Sequence, residues 1–170
     1  MDSVDAAMAV LRIGLGGVFL AHGIKHLGSR EKTTRWFESI GFRSAGMQWL
    51  AMTTTEVGVG ILLLAGLLTG LAAAAVVATM LVAYVTVHRK AGFWITAFMR
   101  DDSDVEGYEY VVFLAIAAVG LALGGPGELS LDQALGIAED LDGWVGLALV
   151  GGATMAAVGQ LAMFWRPPRG

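Results

Sequence analysis

The side chains of this sequence best suited to chemistry are ionisable residues inside an apolar stretch, Leu11–Leu27. Four occur there: Arg12, His22, Lys25 and His26. A charge in hydrocarbon is costly unless it faces protein, water or a partner, so each is a candidate for a functional site. At about 100° per residue, one helical face carries Arg12, Gly16, Phe19, Gly23 and His26. We expect that face to point into the protein.

Glu56, in the second apolar segment, is the acid best placed to meet Arg12. Counting from the ends of the two segments puts these residues at depths that differ by about 6 Å, within reach of an arginine side chain. We therefore predict a buried ion pair between them. The pair would form a redox, proton-transfer or head-group site, or alternatively it would only fix the register of two helices.

A second set of polar residues lies where the first and third apolar segments end and where the fourth begins. It comprises His22, Lys25, His26, His88, Glu106, Tyr108 and Glu109. His22 and His26 are one turn apart and could share a metal ion, completed by His88 or Glu109. However, no third ligand stands at a recognisable spacing, and interfacial hydrogen bonding also suits the two histidines. We therefore assign no metal site.

Three residues of this second set have simple expected environments. Lys25 is about 220° from Arg12 around the helix and should reach the lipid head groups. Glu106 should be a solvated acid at a helix N-terminus. Glu109 lies one turn deeper and is the better candidate for a buried carboxylate.

The composition excludes several classes of protein. With 56% hydrophobic residues, 15% charged residues and a mean hydropathy of +0.67, the chain of 170 residues is too apolar for an ordinary soluble domain. It is predicted to be an integral membrane protein. The net charge of −4 argues against nucleic acid as a partner. Because Cys is absent, the chain has no disulfide, thiolate metal site or thiol relay of its own.

Five apolar spans are predicted, at residues 5–27, 47–68, 70–88, 105–124 and 143–165. Only LTG joins the second span to the third, so these two should form a tight antiparallel hairpin. The acidic loop after the fourth span contains SLDQALGIAEDL, which predicts a short helix with Ser130 as its N-cap. The segment between the third and fourth spans mixes aromatic and charged residues and is expected at the membrane interface. Because the strand-like alternation of a barrel is absent, the predicted fold is an all-α membrane bundle.

The basic residues predict how these spans are oriented. Five spans place most of them at one side: Lys25, Arg30, Lys32, Arg35, Arg43, Arg89, Lys90, Arg100, Arg166 and Arg169. The opposite side holds an acidic N-terminus, the LTG turn and the acidic loop, without Lys or Arg. By the positive-inside rule, we expect the N-terminus to lie outside the inner (plasma) membrane of the cell and the C-terminus to be cytoplasmic. The acidic MDSVD start lacks the basic region of a signal peptide, so the first span should remain in the mature protein.

Four ordered motifs resemble the DoxX family. They are LRIGLGGVFLAHGIKHLG, TEVGVGILLLAGLLTGLAA, VHRKAGFW and GYEYVVFLAIAAVGLALGGPGELSLDQALG. The resemblance covers about residues 8–136. It implies a four-helix membrane core at residues 1–136, distantly similar to the vitamin K epoxide reductase bundle. Residues 137–170 would then add an outer acidic segment and a fifth transmembrane helix, suited to docking.

The DoxX resemblance also implies chemistry. The family is named after a subunit of thiosulfate:quinone oxidoreductase, so it implies membrane redox work at a quinone or association with redox-stress enzymes. The candidate catalytic residues are Arg12, Glu56, His88 and Glu109, which match polar positions of the family. The candidate ligand-binding residues are His22, His26 and Tyr108. The absence of Cys departs from the epoxide reductase pattern and argues against direct disulfide exchange.

Two hypotheses of function follow. In the first, the bundle holds a quinone, without a covalent cofactor, and a partner subunit delivers the electrons because the chain offers no electron carrier. In the second, the chain is a non-catalytic subunit that anchors or assembles a larger membrane complex. A transporter is a weaker third option, because the inverted repeats usual in such folds are not visible.

Overall fold

The computed structural model describes residues 2–168, and over that range the chain is largely helical. Its α-helices are α1 (Ser3–Leu27), α2 (Arg30–Ser39), α3 (Ala45–Ala65), α4 (Thr69–Thr86), α5 (Glu109–Gly124), α6 (Leu131–Leu135), α7 (Ala138–Leu141) and α8 (Gly143–Phe164). Two 3₁₀ turns, His88–Lys90 and Ile95–Met99, separate α4 from α5. The described range contains one isolated antiparallel bridge, between Phe42 and Trp165, and no β-strand. The predicted all-α class is confirmed.

Four helical segments are long and apolar enough to cross a membrane. They are Ser3–Leu27, Ala45–Ala65, Thr69–Thr86 and Ala138–Phe164, the last of which combines α7 with α8. The remaining apolar helix, α5, has 16 residues and begins at Glu109, four residues later than predicted. The reason is local, since the backbone N–H groups of residues 107–109 donate to the carbonyl groups of residues 92–94. The start of the predicted fourth span therefore holds the preceding loop in place.

The connections gather at two ends of the bundle. We call residues 2–5, 66–68 and 125–142 the acidic end; there the Glu128 N–H donates to Asp5 at 3.2 Å. We call residues 28–44, 87–108 and 165–168 the basic end; there the Arg43 N–H donates to the Phe164 carbonyl at 2.8 Å. The segments of the acidic end contain no Lys or Arg. Arg169, predicted among the basic residues of this side, lies outside the described residues.

Helix α1 packs against α3, and the two helices run antiparallel. A capping box between Asp2 and Asp5 begins α1. Glycines then let the two backbones approach, since a Cβ on Gly60 would lie 2.6 Å from the Leu20 Cβ. A Cβ on Gly16 would lie 3.0 Å from the Leu63 Cβ. Lipid supplies no hydrophobic driving force between helices. The close van der Waals packing that small residues allow therefore stabilises the crossing.

The second half of the bundle is built around α4, which packs against α3, α5 and α8. Its alanines at positions 72–74 and Val76 are almost fully buried, together with Leu63 of α3 and Leu121 of α5. The predicted α3–α4 hairpin is present. Its turn is tight because Gly66 and Leu68 both adopt the left-handed conformation, with φ of 66° and 50°.

The acidic loop folds into two short helices instead of one. The Ser130 hydroxyl accepts the Gln133 N–H at 3.1 Å, which confirms the predicted N-cap. Gly136 then takes the left-handed conformation, with a φ of 72°, and separates α6 from α7. Such a residue ends a helix because a left-handed position cannot continue it.

Candidate functional site

Arg12 is buried where α3 ends, at the acidic end. Its guanidinium donates to the carbonyl groups of Leu63, at 2.9 Å, and Leu64, at 3.1 Å. A third hydrogen bond reaches the Leu129 carbonyl in the loop after α5. The last carbonyl groups of a helix lack partners within it and carry partial negative charge, so a cation is favourable there. Arg12 therefore caps α3 and holds the acidic loop against it.

The predicted ion pair between Arg12 and Glu56 is wrong. A Cβ on Gly66 would lie 2.5 Å from an Arg12 Nη atom, whereas Gly23 is the α1 residue that meets Glu56, with a Cβ distance of 3.2 Å. Arg12 and Gly23 are eleven residues apart on α1, or about 16 Å of helix rise. The prediction failed because α1 extends about two turns beyond the end of α3, so depths counted from the two ends do not match.

Glu56 pairs with His26 instead. Its Oε2 lies 2.6 Å from Nδ1 of His26, and the side chains are 8% and 18% exposed, respectively. The Trp49 indole donates to the His26 backbone carbonyl at 3.1 Å, which fixes this part of α1 against α3. His22 is exposed, and its ring centroid lies 6.2 Å from that of His26. The structure thus places a carboxylate behind a partly exposed imidazole, with a second imidazole beside it.

The sequence prediction missed Asp132, which is 1% exposed. Its two carboxylate oxygens accept the backbone N–H groups of Leu68, at 2.6 Å, and Thr69, at 2.8 Å, and so cap the start of α4. Its own N–H donates to the Gly66 carbonyl at 2.8 Å. Arg12 and Asp132 hold the two sides of the α3–α4 turn, and we call this pair the acidic-end clamp. The available signal was the SLD run in the acidic loop.

The remaining predicted residues organise the loop between α4 and α5 at the basic end. His88 Nδ1 lies 2.8 Å from the Glu106 carbonyl, and the Ile95 N–H donates to Glu109 at 3.0 Å. The Tyr108 ring packs edge-on against the rings of Tyr84 and Phe93. None of these contacts involves His26 or Glu56, so the predicted residues do not share one pocket. Glu109 is half-buried and anchors the loop, whereas Glu106 is exposed, as expected.

The same loop carries an exposed ion pair. The Arg100 guanidinium donates to Asp102 at 2.8 Å, and this hydrogen bond lowers the pKa of the Asp102 carboxyl below its usual 3.8. Arg100 also donates to the Ala91 carbonyl at 3.3 Å. Both partners of Arg100 therefore lie within the loop between α4 and α5. The ion pair adds no ligand-binding group near His26.

Comparison with protein families decides the relationship of this chain. The model of the DoxX family matches residues 7–89. Residues 7–89 form a DoxX domain. No curated protein and no solved structure matched it.

The DoxX match runs from α1 to the first 3₁₀ turn after α4. It includes Arg12, His26, Glu56 and His88, so the imidazole–carboxylate pair lies entirely within the DoxX segment. Asp132, with α5 to α8, lies beyond the matched residues. The acidic-end clamp consequently joins a DoxX residue, Arg12, to a loop outside the match.

The part of the chain that the structure describes holds no cluster of side chains suited to binding a metal ion. Within residues 2–168, no three His, Asp or Glu side chains lie close enough together to hold a metal ion. His26 is engaged with Glu56, and the Glu109 carboxylate accepts the Ile95 N–H. The donors considered in the sequence therefore do not converge.

Two further polar features mark α3. Gln48 is buried and accepts a hydrogen bond of 2.7 Å from the side chain of Gln160, which ties α8 to the DoxX segment. The Thr53 hydroxyl is buried without a hydrogen-bond partner among the described residues. Thr53 precedes Glu56 by three residues and so lies one helical turn away from it. A buried hydroxyl that finds no partner within residues 2–168 therefore lies one turn from Glu56.

Proposed function

We propose that this DoxX protein is a membrane subunit of a quinone-linked redox system and that His26 and Glu56 form its proton-exchanging site. The observation that supports this is the 2.6 Å contact between His26 Nδ1 and Glu56 Oε2, within two membrane-span candidates. Ionisable groups within membrane-spanning segments are functional candidates because their burial is costly. The predicted pair of Arg12 and Glu56 is therefore replaced in this proposal by the pair of His26 and Glu56.

The chemistry depends on orientation of the imidazole. Because Glu56 engages Nδ1, the other ring nitrogen of His26 is left to meet a ligand. A quinone carbonyl can accept a hydrogen bond from that nitrogen, and the carboxylate can stabilise the imidazolium formed when a proton arrives. Reduction of a quinone to a quinol takes two electrons and two protons. The electrons would come from a partner subunit with its own redox centre.

The residues around the pair suit an amphipathic ligand. The partial exposure of His26 and the exposure of His22 allow approach from the bilayer. Arg12 has a structural role in this proposal, since all its hydrogen bonds go to backbone carbonyl groups. His88, Tyr108 and Glu109 hold the basic-end loop.

The proposal is tested on the protein purified in native lipid, with decylubiquinone and menadione as probes. Glu56→Gln and His26→Gln should each weaken binding of at least one probe about tenfold, because each removes a charge-assisted hydrogen bond. The control is Glu31→Gln, an exposed carboxylate at the basic end. Unchanged probe binding in both site variants would refute the role of this pair.

We further propose that the acidic end faces the outside and the basic end faces the cytoplasm of the plasma membrane. The separation of basic from acidic segments supports this orientation. Since the chain has no Cys, single cysteines report sidedness without background. In intact cells, a membrane-impermeant maleimide should label Ser3→Cys and spare Ser39→Cys until the membrane is opened. The reverse labelling pattern would show that the basic end faces the outside and would contradict the proposed orientation.

A specific observation also favours the second hypothesis, a non-catalytic assembly subunit. In Ala138–Phe164 only 17% of the most apolar stretch is buried, against 28% in Ser3–Leu27 and 33% in the other two spans. That exposure leaves room for a partner helix. Purification in mild detergent followed by mass spectrometry separates the hypotheses. A stoichiometric partner without probe binding by the complex would favour assembly, whereas probe binding sensitive to Glu56→Gln would favour the quinone site.

A further inference from the structure

A cavity of about 200 Å³ opens at the basic end, away from His26 and Glu56. Its walls come from three separate parts of the chain. Ile40 follows α2, Val85 lies in the last turn of α4, and Trp165 with Pro167 follows α8. The remaining wall carries Arg89 and Lys90, in the 3₁₀ turn after α4. The cavity is thus a cleft with aliphatic and aromatic sides and two cations.

The charges of this cleft are not balanced by any residue among positions 2–168. Neither Arg89 nor Lys90 forms an ion pair or a hydrogen bond through its side chain with any residue in the described range. No acidic residue lines the cleft, and the nearest in sequence, Glu38, is exposed beside Ser39. A cleft with two free cations and no acid attracts an anion.

The aromatic wall holds one of the cations in position. The Arg89 guanidinium carbon lies 5.6 Å from the centroid of the Trp165 ring, a cation–π distance. The Trp165 indole N–H donates to the Ile40 carbonyl at 2.9 Å, so the ring itself is fixed. The hydroxyl groups of Ser39 and Thr86 are engaged with backbone carbonyl groups. The two cations are therefore the groups of the cleft that are free to bind a ligand.

We propose that this cleft binds the phosphate of an anionic membrane phospholipid between Arg89 and Lys90. The position favours a lipid over free phosphate, because the cleft begins at the last turn of α4, a segment long and apolar enough to span the membrane. Ile40 and Val85 offer apolar contact to the glycerol and first methylene groups, which inorganic phosphate lacks. Basic pockets at the ends of transmembrane helices suit such head groups. This site is independent of the quinone proposal.

The test uses native mass spectrometry of the full chain in detergent, titrated with phosphatidylglycerol. Phosphatidylcholine serves as the zwitterionic comparison. The wild type should retain phosphatidylglycerol preferentially, and the Arg89→Gln/Lys90→Gln variant should bind it at least about tenfold more weakly. The matched control is Lys32→Gln/Arg43→Gln, which removes the same charge from one exposed lysine and one exposed arginine that do not line the cleft. It should keep nearly full affinity.

Three outcomes would overturn the proposal. An equal loss of phosphatidylglycerol affinity in both double variants would show that binding depends on overall surface charge and not on the cleft. Equal retention of both lipids would remove the role of the anionic head group. Displacement of phosphatidylglycerol by millimolar inorganic phosphate would identify a phosphate site without lipid selectivity. Because Arg89 and Lys90 are exposed, their substitution should preserve folding, and an unchanged melting temperature without lipid checks this.

Discussion

His26 Nδ1 and Glu56 Oε2 lie 2.6 Å apart and join α1 to α3 through side chains that are largely withdrawn from the surface. Because the two side chains stabilise each other, the effects of substituting them on the free energy of unfolding should not be additive. A double-mutant cycle with His26→Gln and Glu56→Gln should give a coupling energy of about 0.5–3 kcal/mol in unfolding experiments in mixed micelles.

The control cycle uses Glu31 and Arg35. Their side chains lie 3.7 Å apart and are 90% and 70% exposed. Because exposed pairs are screened by solvent, that cycle should give a coupling energy within experimental error. Equal coupling in the two cycles would contradict a special role for the buried pair.

The α1–α3 crossing gives a second prediction, based on two glycines of the same helix. An added Cβ at Gly60 would lie 2.6 Å from the Leu20 Cβ and 2.7 Å from its backbone nitrogen. Gly60→Ala should therefore destabilise the protein by about 1–3 kcal/mol, because α1 must move away. Gly58 has no neighbouring atom within 4 Å of the added Cβ. Gly58→Ala should be neutral or slightly stabilising, and melting temperatures of both variants measure the contrast.

The acidic-end clamp gives a third prediction. Asp132→Ala removes the acceptor for two backbone N–H groups at the start of α4 and should cost about 2–4 kcal/mol of unfolding free energy. Asp140→Ala is the control, since Asp140 is exposed in the same acidic loop. Hydrogen exchange should show faster exchange at Leu68 and Thr69 in Asp132→Ala alone. Equal stability of the two variants would disprove the capping role.

The attachment of α8 gives a fourth prediction. Gln160→Leu should destabilise the protein by about 0.6–1.7 kcal/mol, because it removes the donor to buried Gln48. Replacing both glutamines by Leu should recover part of that loss, since neither position then leaves a polar group without a partner. Unfolding of the two single variants and the double variant measures this. A double variant as unstable as the sum of the singles would argue against a direct contact.

Much of the architecture could be predicted from residue pattern alone. Blocks of apolar residues predicted five spans; four helical segments are long and apolar enough to cross a membrane, and the fourth predicted span is the shorter α5. LTG predicted the tight α3–α4 turn, and Ser130 was identified as an N-cap. These features depend on local sequence, and each is present in the structure. The inward direction of Arg12 was also correct, because the glycines on the same face mark the packed side of α1.

The pairing of buried charges could not be predicted in the same way. The partner of Arg12 depends on how far α1 projects past α3, and that overhang depends on residues 125–132 returning to cover it. Asp132 lies in the predicted short helix of the acidic loop, and its burial could not be predicted because it arises from that return. Tyr108 and Glu109 were placed at the start of a span, whereas backbone pairing with residues 92–94 uses this stretch to fasten a loop.

The hydrogen bond from Arg12 to the Leu129 carbonyl spans 117 positions of sequence. During synthesis, the first helix enters the bilayer with its guanidinium long before that acceptor has left the ribosome. The carbonyl groups of Leu63 and Leu64 become available earlier, when the second long helix is inserted. Biogenesis of this protein should therefore pass through a helical hairpin that shelters the cation, and truncated chains ending before residue 129 should be preferred substrates of membrane quality-control proteases.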